Sequence, residues 1–146
     1  MLLYSDEYFM NEAFKEARMA MSEDEIPIGA VIVFNNRIIA RAHNMTEKLN
    51  DVTAHAEMLA ITSAASAMGG KYLRDCTLYV SLEPCPMCAG ALAWSQISKI
   101  VYAAPDDKRG YHLFGENLLH PKTIVECGIM KETSIEMMQE FFRKKR

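Results

Sequence analysis

Two short stretches hold residues that bind metals and move protons. His55-Ala56-Glu57 sets an imidazole and a carboxylate two residues apart, and Pro84-Cys85-Pro86-Met87-Cys88 sets two thiols three apart. Two thiolates and one imidazole are a set that zinc prefers, and three protein ligands leave a fourth tetrahedral position for water. Coordination brings that water's pKa toward neutrality and yields a hydroxide nucleophile at physiological pH. Glu57 is too near His55 along the chain to share its ligand direction, yet it stays in the same turn, where a carboxylate can shuttle a proton to a ring nitrogen and a departing amine. A C-x-x-C pair alone has other readings, a redox couple or half of a structural four-ligand site. A redox couple normally lacks a preceding His-x-Glu. Of the further candidates for a fourth ligand, His43, His112, His120, Cys76 and Cys127, none sits in a second spaced pair.

Positioning these groups needs a scaffold, and the pattern supplies one. Phe9, Ala13, Phe14, Ala17, Ala20 and Met21 recur at three- and four-residue steps, which predicts an amphipathic helix from Ser5 to about Ser22, with Ser5 as its N-cap. Pro27 ends helical continuation. Ile28 to Phe34 reads as a buried strand, Asn35-Asn36 as a turn, and Ile38-Ile39-Ala40 as the second arm of a hairpin. Residues 44–53 are polar and irregular. A helix is expected from near Thr53 through Ala67, closed by Gly69-Gly70, with His55 and Glu57 in its first turn. Thr77 to Leu82 is a third strand, and Pro84 to Trp94 a helix with both cysteines at its start, where residues three apart share a face. Helix N-termini also favour thiolates through their dipole. A fourth strand falls within Ile97 to Ala104, a fifth at Thr123-Ile124-Val125, and a closing helix begins at Lys131. Residues 105–121 are expected to be a long loop or a partly helical excursion, and loops of that length are commonly functional. Strands alternating with helices imply an α/β sheet with helices on its faces, as one domain over 1–146.

The formal net charge of -3 over 146 residues argues against a wholesale electrostatic grip on nucleic acid. Positive charge concentrates at Arg143, Lys144, Lys145 and Arg146, with Lys108-Arg109 as a smaller pair; a solvated helix end is the bland reading of the former. No secretory signal and no apolar run near the ~20 residues of a membrane span are visible, so no membrane partner and a cytoplasmic address are expected. Cysteines there stay reduced, and Cys76 and Cys127 read as buried apolar fillers.

The order His-x-Glu then Pro-Cys-x-x-Cys matches the signature of zinc nucleobase deaminases, in which the Glu is not a ligand. Over nearly its whole length the chain resembles the cytidine deaminase superfamily, and within it the bacterial tRNA-specific adenosine deaminases. The blocks that carry the resemblance are Glu25 to Val31, Asn50 to Glu57, Thr77 to Ala91 and Phe141-Phe142-Arg143. It implies a three-layer α/β/α fold with a five-stranded mixed sheet, one zinc ion per subunit, and a homodimer with the active site near the interface. It also implies that Asn44 hydrogen-bonds the target base and that the backbone of Ala56 fixes it, in a pocket shared with Ile28, Glu83 and Pro84. Without the resemblance Asn44 reads as a turn residue. Two departures stand out: the stretch from Ala104 to Ile129 is shorter than the family's usual segment, and Trp94 resembles the guanine deaminase branch unless it is a core or interface residue. The expected activity is deamination of adenosine to inosine in a tRNA anticodon loop, the base splayed out of its stack and Lys108, Arg109 and Arg143 to Arg146 holding phosphates. A free-base or nucleoside deaminase of guanine or cytosine type is the alternative, and an inactive deaminase-fold RNA-binding protein is the second.

Overall fold

The computed structural model describes residues 4–145. Its sheet begins with the hairpin of β1 (Gly29–Phe34) and β2 (Arg37–His43). Asn35 and Asn36 both lie in the left-handed region, at φ 51° and 60°, the conformation a tight two-residue hairpin turn needs and asparagine tolerates. The register slips by one residue between Ile32 and Val33, leaving a bulge in β2. On its other side β1 pairs antiparallel with β3 (Cys76–Leu82), which is followed by parallel β4 (Lys99–Ala104) and β5 (Ile124–Cys127). The order is β2-β1-β3-β4-β5, a five-stranded mixed sheet.

Side chains alternate across this sheet and fill two apolar layers. Val31, Val33, Tyr79, Val101 and Ala103 pack against α1 (Asp6–Ser22) and against Met137 of α4 (Lys131–Lys144). Ala30, Ile32, Leu78, Val80 and Ile100 pack against α2 (Ala56–Met68) and Leu92 of α3 (Pro86–Ser95). The result is the expected α/β/α sandwich. Ser5 caps α1 as its type foretells, its hydroxyl accepting the Tyr8 N–H at 3.1 Å.

Gly29 lets α1 lie directly on β1. A Cβ there would collide with the backbone of Ala13 and Ala17 and with the Glu16 side chain. Gly29→Ala is therefore expected to lower stability by about 1–3 kcal/mol, seen as an earlier urea midpoint at unchanged slope.

Several local expectations shift. The helix foreseen from Thr53 begins at Ala56, because the Thr53 N–H and hydroxyl both donate to Asp51 Oδ1, at 2.8 and 2.7 Å, and hold a turn. The next helix begins at Pro86 and not at Pro84. Residues 105–121 carry a single 3-10 turn, Tyr111–Leu113. Cys76 is buried, but Cys127 is exposed, since all four residues of the short edge strand β5 are exposed. Trp94 is 85% exposed and so is no core residue. Among the described residues, no helix is long and apolar enough to cross a membrane.

Candidate active site

β3 and β4 run parallel, and the segments that follow the carboxyl ends of β2 and β3 and lead into α2 and α3 converge there, the usual place for a site in such a sheet. His55 is the N-cap of α2 and Cys85 the N-cap of α3, both with extended backbone, and neither makes a side-chain capping hydrogen bond. An N-cap side chain projects over the third helical residue, which in α3 is Cys88. This cap geometry, and not a shared helical face, brings the two sulfurs together.

The His55 Nδ1 atom lies 3.6 Å from Cys85 Sγ and 3.5 Å from Cys88 Sγ. All three donor atoms lie within 4.8 Å of one another. A tetrahedral zinc ion with its usual bond lengths sets N and S ligands about 3.6 Å apart, so the three residues fit one ion. The two sulfurs share one proton: the hydrogen bond from Cys88 pulls Cys85 down to about 4, while Cys88 itself is raised, first by that same bond, so Cys85 is the thiolate and Cys88 the thiol that donates to it. His55 is raised by its hydrogen bond to Cys85.

Glu57, the second residue of α2, is 3% exposed, and burial pushes its carboxyl up to about 7. A carboxyl near neutrality gives and takes protons with equal ease, which suits an acid–base shuttle.

The groove above these groups encloses about 1260 Å3 and is walled by Ile28, Asn44, Ala56, Glu83, the 105–109 segment and one flank of α4. Asn44 is 4% exposed; its Oδ1 accepts the Thr46 N–H and its Nδ2 donates to Ile26 O at 3.4 Å. Each group keeps one hydrogen-bonding valence for a ligand. Lys108, Arg109, Arg143 and Lys145 reach the rim. Lys144 pairs with Glu140 along the helix, and Arg146 lies outside the described residues. Pro84 does not line the groove, and its carbonyl accepts the Tyr111 N–H at 3.0 Å.

Glu83 has a wholly buried side chain and spends it on structure. It accepts the Asp106 and His112 N–H groups at 3.0 Å each and meets His112 Nδ1 at 2.7 Å, tying the 105–113 segment beneath the site. A Cβ on Gly110 would collide with this carboxylate. Glu83→Ala leaves these donors unmet and is expected to cost about 1–3 kcal/mol and to raise KM more than it lowers kcat, checked by melting and steady-state kinetics.

Two further acid-bearing supports are not apparent from local sequence. Glu25, 1% exposed, accepts the Glu47 and Lys48 N–H groups at 3.0 and 2.7 Å and shapes the loop after Asn44. His43 bridges Glu16 at 3.1 Å and Glu23 at 2.8 Å, anchoring the end of β2 beside Asn44. From α4, Ile135, Met138, Gln139 and Phe142 also enter the wall. The advance signals were the Glu25 to Val31 block for Glu25 and Phe141-Phe142-Arg143 for α4, neither of which told what the side chains would hold.

Sandwich, cap-borne ligand trio and buried carboxylate together define a zinc-dependent deaminase. Residues 3–104 match the cytidine and deoxycytidylate deaminase zinc-binding region, and the chain belongs to that family. Within it the chain groups with the tRNA-specific adenosine deaminases: the enzyme of that description from Bacillus subtilis (strain 168) is 46% identical, over 97% of this chain and 91% of its own. A solved tRNA:A34 deaminase, from work on A-to-I editing at the wobble position of transfer RNA, superposes with a TM-score of 0.83 at 43% identity, over 89% of this chain and 98% of that one. A guanine deaminase from Nitrosomonas europaea superposes with a TM-score of 0.80 at 25% identity, over 97% and 86%. Zinc is the cofactor, one ion per chain.

Proposed function

We propose that this protein hydrolytically deaminates adenosine to inosine at the wobble position of a tRNA anticodon loop. The observation that carries the reading is the groove. At about 1260 Å3 it exceeds the ~300–1,000 Å3 of ordinary small-molecule sites, and it runs from Glu57 past the 105–109 segment to the cationic end of α4. A flipped base can enter at Asn44 while neighbouring nucleotides lie along the wall. The tRNA-specific relatives named above, similar over nearly the whole of both chains, support the same substrate.

His55, Cys85 and Cys88 are the residues that would hold the zinc, whose chemistry is to make water acidic enough to attack carbon. Asn44 and the backbone of Ala56 orient the base. Glu57 accepts one proton from the attacking water and delivers it to the ring nitrogen; it then takes the remaining proton from the new hydroxyl on carbon and gives it to the amine, which leaves as ammonia as the carbonyl forms. Burial of Glu57 keeps that proton from bulk solvent.

The proposal includes a homodimer. The exposed side of the α2/α3 layer carries Trp94 at 85% and Met87 at 36% exposure, and an apolar face of this kind is normally covered by a second copy. One domain carries the whole activity, and the proposed address is the cytoplasm.

The test incubates zinc-loaded protein with an anticodon stem-loop, guanine, cytosine and free adenosine. Inosine in the RNA is expected; ammonia from a free base with none in the RNA would overturn the reading. Arg143→Gln is expected to weaken RNA binding and to reduce the slope of log affinity against log salt by about 1, with turnover at saturating RNA unchanged.

A further inference from the structure

A second concavity, of about 340 Å3, opens at the opposite end of the sheet and is lined by Arg74, Gln96, Ser98, His120 and Lys122. These residues precede or adjoin the amino ends of β3, β4 and β5, whereas the catalytic groups follow the carboxyl ends of β2 and β3. The length of β3 alone, seven residues, separates the two places by roughly 20 Å.

The hydrogen bonds inside this concavity use up its acceptors and leave its donors. Gln96 Oε1 accepts from Arg74 Nε at 3.0 Å and from Nη2 at 2.8 Å, which fixes the amide so that its NH2 faces away from the guanidinium. Ser98 Oγ accepts the Asp75 N–H at 2.7 Å, leaving its proton to donate. His120 Nδ1 accepts the Lys122 N–H at 3.1 Å, which puts the ring proton of the neutral imidazole on Nε2. Among the described residues, neither Arg74 nor Lys122 has an acid partner within ion-pair distance. Of the acids nearest in sequence, Glu126 is occupied by Lys99 at 2.5 Å, and Asp75 projects from an exposed turn. Lys71 and Arg74 both stack on Tyr72, adding positive charge at the rim and holding Arg74 in place.

A concave set of two cations, an amide, a hydroxyl and an imidazole N–H, with no acceptor left over, complements an anion of several oxygens. We infer that this concavity binds a phosphate group, as an RNA phosphodiester or as a free phosphate or phosphomonoester, at a site separate from the catalytic groove.

The experiment titrates zinc-loaded, 15N-labelled protein with inorganic phosphate at constant ionic strength. Saturable shifts are expected at the amides of Ser98 and Lys122 and at the Gln96 side-chain NH2, and they should vanish in Arg74→Gln/Lys122→Gln. Lys122→Glu, whose side chain makes no internal hydrogen bond, repeats the test if the double variant is poorly folded. Each lost cation should weaken phosphate binding about fivefold, the worth of one charge contact near 4 Å in water. Full-length tRNA then separates the sources. A parallel fall in tRNA affinity assigns the site to RNA backbone, and an unchanged tRNA affinity with phosphate binding abolished assigns it to a small phosphorylated ligand. Shifts that do not saturate, that chloride reproduces, or that survive in the variants overturn the inference.

Discussion

Glu57→Gln is expected to lower kcat by about 10²–10⁴ while leaving zinc content at one ion per chain. The amide keeps the shape of the carboxyl and removes only its ability to carry a proton, so the loss reports acid–base work and not packing. Stability should move the other way. Burial raises the Glu57 pKa from 4.5 to about 7, so the charged form is less favourable in the folded chain than in the unfolded one. The stability associated with that carboxyl is fully present below its unfolded value and is lost as pH rises through the folded value. Glutamine has no such loss. At pH 8 the variant should therefore melt no earlier than the parent, and a variant that melts early and loses zinc would remove Glu57 from the catalytic role.

Cys88→Ser is expected to abolish both metal and turnover. A hydroxyl is a poor zinc ligand beside a thiolate, and two remaining residues cannot hold the ion as three do. The cost to the fold follows from linkage: a ligand present at 1,000 times its dissociation constant adds about 4 kcal/mol, and that increment disappears. For a domain of this size the melting temperature should fall by on the order of 10 °C. Chelator should lower the parent's melting temperature toward that of the variant and leave the variant's alone. A variant that retains one zinc ion would show that Cys88 is not a ligand.

How far the sequence foretold this arrangement depended on the range of the interactions. Ser5 and the Asn35-Asn36 turn were legible because capping and tight-turn chemistry act within a few residues. The metal trio was legible because each half is a compact run, although the cap positions of His55 and Cys85 were not, since the Asp51–Thr53 turn and the proline at position 86 decide where the helices start. Glu83 was expected in the substrate pocket and lines the groove, and its fully buried carboxylate also ties down a segment 23 to 29 residues further on, a partnership no local pattern encodes. The His43 bridge to α1 was hidden for the same reason. Cys127 was misplaced because residue type suggests burial, while β5 sits at a sheet edge with all four of its residues exposed.

Serine, threonine, aspartate and asparagine are the residues that ordinarily begin a helix, and two helices here begin with a histidine and a cysteine that cap nothing. A lineage that abandoned the reaction would gain by drifting to better starters at both places, a free improvement of about 1 kcal/mol apiece. Met130 also begins α4 without capping it, so the mark of an enzyme still at work is not a poor starter alone but a histidine and a thiol at two helix starts with their donor atoms within 4.8 Å of one another, a simple way to tell living deaminases from their retired descendants.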